Sequence, residues 1–216
     1  RLSNGYPVYT QTKNINYVVN PEGVTPKESG TIHQWASPDG SWHVSLSTQF
    51  MSLFSTNYSS YQDLRDRLRS ILSVVSDVLM VPVINRVGVR YVNRIEQPED
   101  MSNLDLLVKP ELLGYRALEH EYLQTSMNQA VYAVDGHVLQ VRSGILPPNQ
   151  NPDPSIKSVE NESWILDLDA SREPNLVMDI DNIMSVVSSL SDIDYDYFKF
   201  ITTRKFVDRF SDKKEL

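Results

Sequence analysis

The sequence has no cysteine, little glycine, no long apolar run and a shortage of positive charge. Without cysteine there is no disulfide, no thiolate zinc site and no thiol nucleophile among its 216 residues. Its 8 glycines form no G-x-G-x-x-G, P-loop or G-x-S-x-G string, so the usual phosphate-cradling and nucleophile-elbow motifs are absent. No stretch approaches the ~18–20 apolar residues of a membrane span, and no leader pattern is read. The expectation is a cytoplasmic protein with no membrane partner. With 20 Lys+Arg against 28 Asp+Glu the formal charge is −8, which disfavours a general nucleic-acid binder, since that needs clustered Lys and Arg.

What is present reads as one α+β domain. Residues 9–19 and 31–35 are β-prone, with a Pro- and Gly-rich stretch over 20–30 read as a loop. Ser37-Pro38-Asp39-Gly40 predicts a tight turn into a strand over 42–54. Ser60, with Asp63 three residues on, predicts a helix start. Leu64, Leu68, Ile71, Leu72, Val75, Val78 and Leu79 then form one stripe, and Pro82 ends the helix. Residues 83–96 alternate with period two, the clearest strand signal in the chain, and 103–113 read as a short helix. Strands are expected near 119–129, 137–145 and 163–170, with Asp135-Gly136 as a hairpin turn. The loop 146–162, rich in Pro and Asn, is expected to be mobile. A helix with Ile180, Ile183, Met184, Val187 and Leu190 on one face precedes a last helix carrying Phe198, Ile201 and Phe206. Asp192–Asp196 would be the acidic start of that last helix.

These elements suggest two halves, about 1–81 and 82–210, each built on a β-α-β-β-β-α pattern whose first strand and helix are absent from the first half. Used twice, that pattern would give one continuous curved antiparallel sheet with helices on one face, in the manner of a TBP-like saddle. Leu2 followed by Gly5 and Pro7 reads as the end of a helix that starts upstream. A sheet lacking its first strand would expose an edge, so the expectation is either a fragment of a longer natural chain or a homodimer through that edge.

The string Arg86-Val87-Gly88-Val89-Arg90-Tyr91-Val92-Asn93-Arg94-Ile95 has the form R-x-G-x-R-Y-x-N-R-I. With Ser37 to Asp39 before it, Tyr58 and Tyr61 at the first helix, and an F-x-x-x-T ending at Phe198–Thr202, it resembles a sporadically distributed family of uncharacterised prokaryotic proteins. The resemblance runs from about Tyr6 to Phe210. It implies the same fold, preceded by a further strand and helix, and brings no activity, cofactor or catalytic residue. By analogy, a patchily distributed protein suggests a paired or defence-type system.

Period two places Val87, Val89, Tyr91 and Ile95 on one face, and Arg86, Arg90 and Arg94 on the other. The same parity turns His43, Gln140, Arg142, Asp167 and Asp169 outward, while Trp42, Val44, Leu46, Leu139, Val141, Trp164, Leu166 and Leu168 turn inward. The outward set supports two readings. It is a solvated face on which Arg and Asp pair across strands, or a platform where guanidinium groups take a carboxylate or phosphate. The candidate ligand-binding residues are thus Arg86, Arg90, Arg94, Arg142, His43 and Gln140, in a non-enzymatic protein that receives an acidic protein segment or small anionic ligand.

The alternative is a metal-dependent enzyme on a phosphorylated or nucleotide-like substrate, with Asp167 and Asp169 on the metal. Alternation alone explains those two carboxylates, and Glu119-His120-Glu121 lacks the second histidine of a zinc motif. No nucleophile–base pair is visible and no cofactor is implied.

Overall fold

The structure is a computed structural model that describes residues 5–20, 23–117, 122–151, 155–173 and 175–210. It is mixed α and β with antiparallel sheets. The chain divides into two compact units, Arg1–Pro82 and Val83–Leu216.

In the first unit β1 (Val8–Asn20), β2 (Gly23–Ala36), β3 (Trp42–Leu46) and β4 (Met51–Ser55) follow one another in a meander of order β1-β2-β3-β4. The expected loop over 20–30 is therefore mostly strand. Pro26 sits within β2, opposite Tyr17, where β1 is the only neighbouring strand among the described residues because β3 pairs with β2 only over His33–Ala36. A proline is tolerated there, since no second partner asks for its missing N–H. The Ser37–Gly40 turn forms as predicted, with Gly40 at φ 69 and Ser41 donating to Asp39.

Helix α1 (Tyr61–Leu79) is capped by Ser60, whose hydroxyl accepts from the Asp63 N–H at 3.2 Å. Of its apolar stripe Ile71, Leu72 and Val75 are buried, whereas Val78 and Leu79 are exposed. Trp42 and Val44 are core residues, and the Arg67 guanidinium lies over the Trp42 ring. Ser45, which strand parity turns to the same side as His43, is buried and accepts from Gln34 across the strand pair.

In the second unit β6 (Val87–Ile95), β7 (Ser126–Val134), β8 (His137–Leu146) and β9 (Ser163–Arg172) form an antiparallel sheet of order β6-β9-β8-β7. The expected strand over 83–96 breaks at 85–86. Its first piece, β5 (Val83–Ile84), pairs instead with β10 (Leu176–Val177). The described strands group into three sheets, β1-β2-β3-β4, β5-β10 and β6-β9-β8-β7. The turn at Asp135-Gly136 has both residues at positive φ, as a two-residue hairpin needs.

Between β6 and β7 the expected helix over 103–113 divides into α2 (Pro98–Ser102), α3 (Leu104–Leu107) and two 3-10 turns. Pro110, which cannot donate a helical hydrogen bond, starts the first of those turns. Helix α4 runs unbroken from Ile180 to Ile201, followed by α5 (Arg204–Phe210). Asp192–Asp196 is therefore mid-helix and starts no new one. The apolar stripe Ile183, Met184, Val187 and Leu190 is buried and continues to Ile201, which keeps the helix on the sheet. Tyr91 on β6 meets Ser191 of α4 at 3.1 Å and Tyr132 on β7 meets Tyr197 at 3.3 Å, so α4 covers the face that also carries Leu139, Val141, Leu166 and Leu168. The helix end expected at residues 1–4 and the frayed tail from 211 lie outside the described residues.

Candidate functional site

The other face of the β6-β9-β8-β7 sheet is set by pairing. Arg90 stands opposite Asp169, which stands opposite Gln140, and Asp167 stands opposite Arg142. Arg94 stands opposite Ile165. Parity therefore brings Arg90, Arg94, Arg142, Gln140, Asp167 and Asp169 onto one surface, as the sequence predicts. Arg86 lies just before β6. Its guanidinium reaches Asp169 at 3.2 Å by lying over Gly88, where even a methyl group would come within 2.9 Å of Nη1.

At the centre is Asp167, with a side chain only 1% exposed. Arg90 grips it with its side-on fork, Nε to Oδ1 at 2.7 Å and Nη2 to Oδ2 at 2.9 Å. From the opposite strand Arg142 donates Nε to Oδ2 at 2.9 Å, and its Nη2 also bonds that oxygen. One buried carboxylate shared by two guanidinium groups leaves a surplus of one positive charge, and the two arginine side chains stay 29% and 25% exposed.

The segment 155–157 lies against this face. Arg90 Nη1 donates to Ser155 Oγ at 3.0 Å and Arg94 Nη1 to the Lys157 carbonyl. Ile156 is buried, its carbonyl held by Asn151 at 2.8 Å. Part of the loop expected to be mobile is thus tied to the sheet, while 152–154 lie outside the described residues. Arg94 differs from the other arginines. Its Nε and Nη2, the same fork that Arg90 uses, are buried and have no partner among the described residues. Burial lowers its pKa from the ordinary guanidinium value, against the opposing effect of Glu96. Ser163, two residues along β9 from Ile165 and on the same face, is fully buried with its hydroxyl also unpartnered among the described residues.

His43 does not join this group. It lies on β3 in the first unit, its Nε2 2.9 Å from the Gly40 carbonyl and its ring stacked on Phe54. Asp167 and Asp169 are both engaged by arginine, so a cation there would have to displace Arg90, Arg142 and Arg86. Among the described residues no three His, Asp or Glu side chains gather as metal ligands. Glu119-His120-Glu121 lies outside the described residues.

Sequence reasoning missed Ser155, the Lys157 carbonyl and Ser163, whose contribution depends on a loop folding back. It also missed Asp194 on the inner side of α4, fully buried with both oxygens unpartnered among the described residues. Burial, then the negative charges of Asp169 and Asp167, raise its pKa to about 8. The spacing of Asp194 from Leu190 and Val187 is a signal that could have revealed it.

No helix among the described residues is long and apolar enough to cross a membrane. No protein-family model, curated protein or solved structure matches the chain.

Proposed function

We propose that this sheet face is a non-enzymatic binding surface for a carboxylate- or phosphate-bearing partner, an acidic protein segment or a small anionic ligand. The observation that carries the reading is the Arg94 fork. The equivalent forks of Arg90 and Arg142 close on Asp167, while that of Arg94 is removed from water with no acceptor among the described residues. A buried guanidinium edge without an acceptor is costly, and a planar oxyanion is its geometric complement. Four arginines against Asp167 and Asp169 make the surroundings net positive in a chain of charge −8. An oxyanion on the fork would lie on the sheet face against which the 155–157 segment packs.

The pseudo-duplicated TBP-like arrangement belongs to the same proposal. The second unit runs two strands, short helices, four strands and two helices, whereas the described part of the first runs four strands and a helix.

Titration of the protein with inorganic phosphate and with a poly-glutamate peptide tests the reading. Binding that weakens with salt and is lost in Arg94→Leu, but kept in Arg86→Gln, supports it. A wild type that binds neither probe, or an Arg94→Leu variant that binds as well as wild type, overturns it.

A further inference from the structure

Both outer strands of the second unit's sheet expose one side, and they are guarded differently. Edge strands present unpaired N–H and C=O groups to other chains, and proteins blunt them with charges, proline, bulges or short length. β6 carries Arg90 and Arg94. β7 has none of these guards. Ser126–Val134 is nine residues without a charge or a proline, and it pairs with β8 in unbroken register.

The two-residue turn makes Val134 and His137 a hydrogen-bonded pair, so Ala133, Val131 and Gln129 direct their N–H and C=O groups away from β8. No hydrogen bond to those backbone groups occurs among the described residues. Three of its larger side chains are open: Val131 is 63% exposed, Tyr132 42% and Met127 41%.

We infer that β7 is a self-association edge, and that its occupant is β7 of a second copy, running antiparallel to make one eight-stranded sheet. Two features select a second copy. An antiparallel pair of identical strands about a two-fold axis places each residue opposite one of the same short segment, so the contact is self-complementary. In a chain of charge −8, copies repel one another over most of their surface, and this uncharged segment is where no like charges would be opposed. Of the first unit's two outer strands, β4 (Met51–Ser55) is shorter, at five residues, and offers fewer outward groups, while β1 (Val8–Asn20) carries the charge of Lys13. Association at β7 is independent of the arginine face.

Sedimentation or light scattering across a concentration series of the full 216-residue chain tests this, with Val131→Lys and Leu53→Lys compared. The expected result is a reversible dimer, with Val131→Lys weakening association by at least ~10-fold, since two lysines would meet near the two-fold axis. Circular dichroism of that variant should match wild type, because Val131 is exposed. A wild type that stays at the mass of one chain, a Val131→Lys protein that dimerises as well as wild type, or dissociation by Leu53→Lys instead overturns the inference.

Discussion

Arg90 and Asp167 meet on the diagonal of the sheet and not across it. The residue directly opposite Arg90 is Asp169, yet the guanidinium fork closes on Asp167, two residues along β9, at 2.7 and 2.9 Å. Asp169 is left to Arg86. The buried acid thereby gains two arginines and the half-exposed acid keeps one.

That division predicts unequal costs. Asp167→Asn leaves two guanidinium groups facing one neutral amide and should lower unfolding stability by roughly 3 kcal/mol. Asp169→Asn loses a solvent-screened pair and should cost under about 1 kcal/mol. Urea unfolding of the two variants measures the difference, and equal losses would contradict the central role of Asp167.

Asp194 sets a pH dependence. Its pKa of about 8 in the fold, against 3.8 for a free carboxyl, means the native state keeps a proton that the unfolded chain has lost between those values. Stability from this group is complete below about pH 4 and declines as pH rises through 8. Asp194→Asn should therefore gain on wild type steadily from pH 5 to pH 8.5 in thermal melts. Parallel profiles for the two proteins would assign the titration elsewhere.

Two glycines of the sheet should respond differently to alanine. A Cβ on Gly144 would fall 1.9 Å from the backbone carbonyl oxygen of Ser126, so β7 must shift. Gly144→Ala should cost about 2–3 kcal/mol or prevent folding. On Gly88 the nearest obstacle is the end of the flexible Arg86 side chain, at 2.9 Å. Gly88→Ala should lose little beyond the Arg86–Asp169 pair, about 1 kcal/mol at most. Chemical denaturation ranks them.

Removing helix caps should act locally. Ser60→Ala deletes the acceptor for the Asp63 N–H, and Asp179→Ala deletes the one shared by Asp181 and Asn182. Each should cost about 1 kcal/mol, read as a lowered melting temperature.

Much of this was local enough to read from residue order. Period-two alternation placed Arg90 and Arg94 on one face of a strand and Val89 and Tyr91 on the other, because successive side chains must point to opposite sides of the backbone. Asp135-Gly136 and Ser37–Gly40 announced their turns, since positive φ and preset φ are properties of the residues themselves. Ser60 announced a helix for a similarly local reason.

Partnership across the chain was decided only by the tertiary structure. That β6 sits beside β9, and that Asp167 lies within reach of both Arg90 and Arg142, depends on strand order, which no short segment contains. Residues 23–30 became strand despite Pro26 because β1 offered a full row of backbone partners. Asp192–Asp196 stayed helical because packing of α4 against the sheet outweighed an acidic sequence that, taken alone, resembles a helix start. Local chemistry determined which face each side chain takes, and long-range packing determined which faces meet.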